Sequence, residues 1–161
     1  MARDAISRQY DVEKNSMTLT CEEGKGSYRP GIITFHAKKG KSLDIDKIRE
    51  SITATRLSGG TGMKVDFLEI TAVGTIMLGE SESVLKVAGT DQQFALGEDP
   101  GAKGTLQKLR EAAKRGEKIE SVTGRLPGWN GVFPKVLQGL ANMPPESRNQ
   151  LLVTGFEISK K

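Results

Sequence analysis

The sequence is poor in the residues from which reactive sites are built. Cys21 is its only cysteine and His36 its only histidine. A single thiol cannot form an intrachain disulfide, and it leaves the redox compartment open. A single imidazole excludes any centre that needs two. Aromatic residues make up 5% of the chain, which is little for a surface that grips bases or sugars by stacking. No hydrophobic run approaches the length of a membrane span. The opening stretch, MARDAISRQYDVEKNS, has no apolar segment of the kind a secretory leader needs. That pattern predicts a cytoplasmic protein, or an exported one whose leader has been removed.

What is present describes a folded chain. Its 161 residues suffice for one ordinary domain or two small ones, with a core that needs no disulfide or metal staple. Hydrophobic residues at 36% and charged residues at 27% are globular proportions. The 24 basic and 20 acidic side chains leave +4, and the pI is near 9.2. Residues 1–64 hold 12 Lys and Arg against 8 Asp and Glu, a net +4, whereas residues 65–161 hold 12 against 12. The excess is wholly N-terminal.

Residues 1–28 read as a polar tail with one strand at 17–21. Ordered structure is expected after Pro30-Gly31, where alternation of Ile33 and Phe35 with Thr34 and His36 predicts a strand over 32–37. The clearest helix spans 42–57. Ile45, Ile48 and Ile52 fall on one face, Asp44 fits the N-cap, and Leu43 can staple onto Ile48. A long strand over 65–78 follows, its apolar face interrupted by Gly74, a residue that lets a strand bend sharply. Strands are expected at 84–88, 93–96, 119–126 and 151–158. A second helix is expected over 105–115, with Leu106, Leu109, Ala112 and Ala113 inward and Gly116 as its stop. A short helix after Pro134 carries Val136, Leu137 and Leu140.

This order predicts an α+β chain: a split βαβ, ferredoxin-like half, then a β-β-β-α-β-β succession of the OB-like barrel type. The expected division is a tail at 1–28, a strand–helix portion at 29–64 and a barrel at 65–161, with strand 65–78 shared. The stretch IITFHAKKGKSLDIDKIRESITATRL followed by VDFLEITAVG resembles the second half of a heavy-metal-associated domain. The resemblance covers about a quarter of the chain and implies a ferredoxin-like fold. That family holds metal with Met-x-Cys-x-x-Cys, and the nearest text here, Met17-Thr18-Leu19-Thr20-Cys21-Glu22-Glu23-Gly24, lacks the second thiol. One thiolate cannot offer two-sulfur coordination to copper(I). The resemblance therefore implies a carrier-like domain that has lost its metal site.

Other chemistries meet similar gaps. Gly40-Lys41-Ser42 precedes a helix as a phosphate loop would, but Phe35 stands where such a loop needs its first glycine. Ser58-Gly59-Gly60-Thr61-Gly62 follows a helix, the end that repels anions. Neither Cys21 nor any serine has an evident activating base. The segment from Gly124 to Lys135 is the richest: it holds the sole tryptophan, and Arg125, Trp129, Asn130, Phe133 and Lys135 are its candidate binding residues. An aromatic cap over an open barrel end is the plainer account of Trp129 and Phe133.

These features predict a non-catalytic accessory or interaction module with no cofactor, taking a protein or a small ligand. The first alternative is an OB-type single-stranded nucleic-acid binder. It is disfavoured by the neutral charge of residues 65–161, although Lys103, Lys108, Arg110, Lys114, Arg115 and Lys118 gather on and beside the second helix. The second alternative is the metal-carrier-like domain without its metal.

Overall fold

The computed structural model describes residues 12–21, 31–37, 40–54, 67–127 and 150–160. The protein is a mixed α+β chain that divides into two compact units, Met1–Lys64 and Val65–Lys161.

In the first unit, β1 (Val12–Cys21) and β2 (Gly31–Ala37) form a two-stranded antiparallel sheet. β1 is longer than the strand expected at 17–21. Its first residues lack apolar alternation, but the backbone pairs Val12 with Ala37 and Glu13 with His36, and a register shift follows before Thr18. Backbone pairing with β2 thus extends a strand that side-chain pattern does not announce. Helix α1 (Ile45–Thr53) begins directly after Asp44, whose Oδ1 accepts the Lys47 N–H at 3.0 Å. It starts later than residue 42 because that cap sets the first turn. Ile48 and Ile52 are buried.

The second unit is built on a six-stranded sheet in the order β3 (Phe67–Ala72), β7 (Ile119–Pro127), β8 (Leu151–Ile158), β6 (Gln93–Glu98), β5 (Ser83–Val87), β4 (Gly74–Leu78). Every pairing is antiparallel except β6 with β8, where Leu96, Gly97 and Glu98 run parallel to Leu151, Leu152 and Val153. β3 and β4 stand at the two ends of this order, yet Val73 alone separates them in the chain. A split βαβ would place β2 and β3 in one sheet, but β2 pairs with β1 and β3 pairs with β7. The strand–helix–strand order is present without the pairing that would make it that motif.

The single long strand expected over 65–78 is two strands about a bend at Val73, which is 60% exposed. A Cβ on Gly74 would lie 2.1 Å from the Lys86 carbonyl oxygen and 3.1 Å from Leu85 Cδ1. Only glycine allows β5 to approach that closely. The Ala88 N–H then donates to the Val73 carbonyl at 2.9 Å, tying the far end of β5 to the bend.

One side of the sheet is apolar. Leu85, Phe94, Leu96, Val122, Leu126, Leu151 and Val153 are buried. Each buried aliphatic chain contributes about 1.5–3 kcal/mol of transfer free energy. Gly124 makes room for one of them, since a Cβ there would lie 2.7 Å from Leu151 Cγ. Helix α2 (Thr105–Lys114) lays Leu109 and Ala112 onto this core and packs on β8, β6 and β4. It stops as the sequence predicts. Gly116, at φ 73°, sends its N–H to the Ala113 carbonyl, and the next N–H, of Glu117, reaches the Ala112 carbonyl. This paired arrangement satisfies two carbonyls that the helix end would otherwise strand.

Candidate functional site

Of the five residues singled out for binding, the structure describes Arg125. Trp129, Asn130, Phe133 and Lys135 lie outside the described residues. Arg125 sits near the end of β7, opposite Glu69 on β3 and Leu152 on β8. Its guanidinium is forked onto Asp99, with Nε 2.9 Å from Oδ2 and Nη2 2.7 Å from Oδ1. Asp99 is 0% exposed and the Arg125 side chain 14% exposed. The same Oδ1 accepts the Gly101 N–H at 2.8 Å, and the Asp99 carbonyl accepts the Ala102 N–H. The carboxylate is thereby occupied as an acceptor on both oxygens, and the pair clamps β7 to the loop that leads into α2. Asp99 was not legible as a partner of Arg125. The local signal was the Asp-Pro-Gly run ending a strand, which marks a side chain that folds back onto its own turn.

The other candidate chemistries can be placed in part. Among the described residues, no three His, Cys, Asp or Glu side chains come together as metal ligands. The ladder of the first unit sets Cys21 opposite Gly31 and His36 opposite Glu13, toward opposite ends of the hairpin. Phe35 lies within β2, and the N-terminus of α1 already holds the Asp44 carboxylate where a phosphate loop would hold its anion. The glycine-rich run 58–62 lies outside the described residues.

The sheet itself offers a surface that periodicity alone did not single out. Cross-strand partners share a face, so the register of β4, β5 and β6 sorts their side chains into rows. Ile76, Leu85 and Phe94 form an inward row, with Leu85 and Phe94 buried. The opposite face carries a polar row, Thr75, Lys86 and Gln93, and beside it an apolar row, Met77, Val84 and Ala95. Met77 is 42% exposed; Leu78, opposite Ser83 and so on the inward side, is 37% exposed at the strand end. Lys86 is the one cation in these two outward rows, and neither row contains a ring.

The β4–β5 turn closes this face at one end. The Gly79 N–H donates to the Glu82 carbonyl at 2.7 Å, and Glu80 and Glu82 are exposed on it. Arg110 reaches across from α2, its Nη2 3.3 Å from both the Gly79 and the Glu80 carbonyl oxygens. One of the six cations gathered near α2 is therefore spent on fixing the turn. Lys103, Lys108, Lys114, Arg115 and Lys118 are exposed, and Arg115 is paired with Glu117. No helix of the described residues is long and apolar enough to cross a membrane. Comparison with the families of known proteins, with curated protein sequences and with solved structures gave no match for this chain.

Proposed function

We propose that residues 65–161 form an OB-type β-barrel module that binds a protein partner and carries out no chemistry of its own. The barrel reading is supported by the β-β-β-α-β-β succession, with β3 and β4 counted as one bent strand. The parallel β6–β8 pair, and β4 approaching β7 although the two stand far apart in the strand order, add support. In that architecture ligands meet the second and third strands and the loops beside them. The corresponding parts here are β5, β6, the turn at 79–82 and the stretch of sequence between β7 and β8, which contains Trp129.

The observation that carries the partner class is the outward apolar row of Met77, Val84 and Ala95, in which Met77 is 42% exposed. Rows on the outside of a sheet offer area rather than enclosure, which suits a protein more than a small ligand. Single-stranded nucleic acid asks for stacking rings and cations on this face, and its rows supply one lysine and no ring. For the first unit, the resemblance to a heavy-metal-associated domain without its metal rests on the succession of β2 and α1.

The test is a titration with thymidine oligonucleotides at low and high salt, followed by the fluorescence of Trp129, the only tryptophan. A protein-binding module leaves the emission unchanged at both salts. Strong quenching that salt removes would replace this reading with the nucleic-acid one.

A further inference from the structure

β3 stands at one end of the strand order and, among the described residues, pairs with β7 alone. In an extended strand the N–H and C=O of one residue point to one side and those of the next to the other. Where the chain leaves β3, the Val73 carbonyl turns toward β5 and accepts the Ala88 N–H at 2.9 Å. Counting back by two, the main-chain groups of Thr71, Glu69 and Phe67 turn the same way, away from β7. Those of Ala72, Ile70 and Leu68 turn toward it. The side chains agree: Thr71 Oγ1 is 2.9 Å from Oγ1 of Thr123, directly opposite on β7. Side chains approach most closely across pairs that exchange no main-chain bonds. The edge of β3 thus carries N–H and C=O groups that β7 does not use, repeating every two residues, about 6.8 Å. Beside them Glu69 and Thr71 are exposed on the outward side, and Leu68 and Ile70, on the inward side, are half-buried.

Such an edge is met by another extended strand, whose main chain supplies the missing donors and acceptors. We infer that β3 takes up an extended segment of a partner protein, with Lys or Arg opposite Glu69 and apolar residues over Leu68 and Ile70. Charge selects this partner over a second copy of the chain. Copies paired so that both use Phe67, Glu69 and Thr71 set Glu69 against Glu69, and like charges directly opposite repel. Sliding one way by two residues brings Phe67 of the copy to the place beside Val73 that Ala88 holds. Sliding the other way carries Thr71 past the end of the copy's β3. β3 is not one of the strands of the β4–β5–β6 face, so what it takes up does not depend on that face.

The probe is the peptide acetyl-Thr-Val-Lys-Val-Thr-amide, added at millimolar concentration to the full chain, with amide exchange and resonance positions followed by NMR. In the free protein the amides of Glu69 and Thr71 are expected to exchange quickly, and those of Leu68 and Ile70 slowly. The peptide should slow Glu69 and Thr71 and shift their resonances. The same peptide N-methylated at lysine, which cannot pair there, should do neither, and glutamate in place of lysine should weaken the effect. Glu69→Lys should reverse the preference and favour the glutamate peptide. Should that variant lose the parent circular dichroism, Glu69→Gln, which only removes the charge, should accept both peptides alike. Glu69 and Thr71 amides that are already slow in the free chain, or that the lysine peptide leaves unchanged, would overturn the inference. So would equal effects of the N-methylated or the glutamate peptide on the parent. Slowing that follows protein concentration without any peptide would give the edge to a second copy instead, against the inference. None of these outcomes bears on the oligonucleotide titration, so the broader reading stands or falls separately.

Discussion

Burying a carboxylate costs its hydration unless hydrogen bonds replace it, and Asp99 receives Nε and Nη2 of Arg125 together with the Gly101 N–H. Breaking such a pair is expensive because the remaining partner is left charged and enclosed. Asp99→Ala is expected to cost about 3–5 kcal/mol in urea denaturation. Asp99→Leu combined with Arg125→Met should recover much of that loss, since neither charge is then stranded. A single variant within about 0.5 kcal/mol of the parent would show that the clamp carries no stability. At this scale the sequence was ambiguous. Arg125 lies near Trp129 in the chain and so read as a cation for a ligand. Its partner lies 26 positions away, and no local pattern reports a contact of that separation.

At the scale of elements, local chemistry was legible wherever it acts within a few residues. Asp44 caps α1 and Gly116 ends α2 through bonds to backbone groups close by, so both ends could be read directly. Gly74 was legible as a place to bend, but not the reason that only glycine serves. That reason is the Lys86 carbonyl of the neighbouring strand, 2.1 Å from where a Cβ would stand. Gly74→Ala must push β5 from β4 and is expected to lose about 3 kcal/mol or more of stability by thermal or urea unfolding. An unchanged midpoint would mean that the bend does not depend on this close approach. The early part of β1 shows the converse case. Val12 and Glu13 form no apolar pattern, and it is their pairing with Ala37 and His36 that makes them strand.

For the molecule as a whole, the division at Lys64 and Val65 separates two compact units. The buried set from Leu85 to Val153, with Leu109 and Ala112 of α2, belongs entirely to the second. Residues 65–161 produced alone are therefore expected to unfold in one cooperative transition, with near-ultraviolet circular dichroism of fixed side chains. A product that binds hydrophobic dye and melts without a transition would show that its core needs the first unit. Composition and hydrophobic period were sufficient for the α+β class, for the succession of strands and α2 in this unit apart from the break at Val73, and for the inward placement of Leu109 and Ala112. They depend only on which residues are apolar and how far apart they fall. Tertiary structure decided the rest: that β3 and β4 stand at opposite ends of the sheet order, that Arg125 is held by Asp99, and that Arg110 of α2 binds the carbonyls of the turn at Gly79 and Glu80. These are meetings between residues distant in the chain, and close packing with backbone pairing selects them only once the sheet has formed.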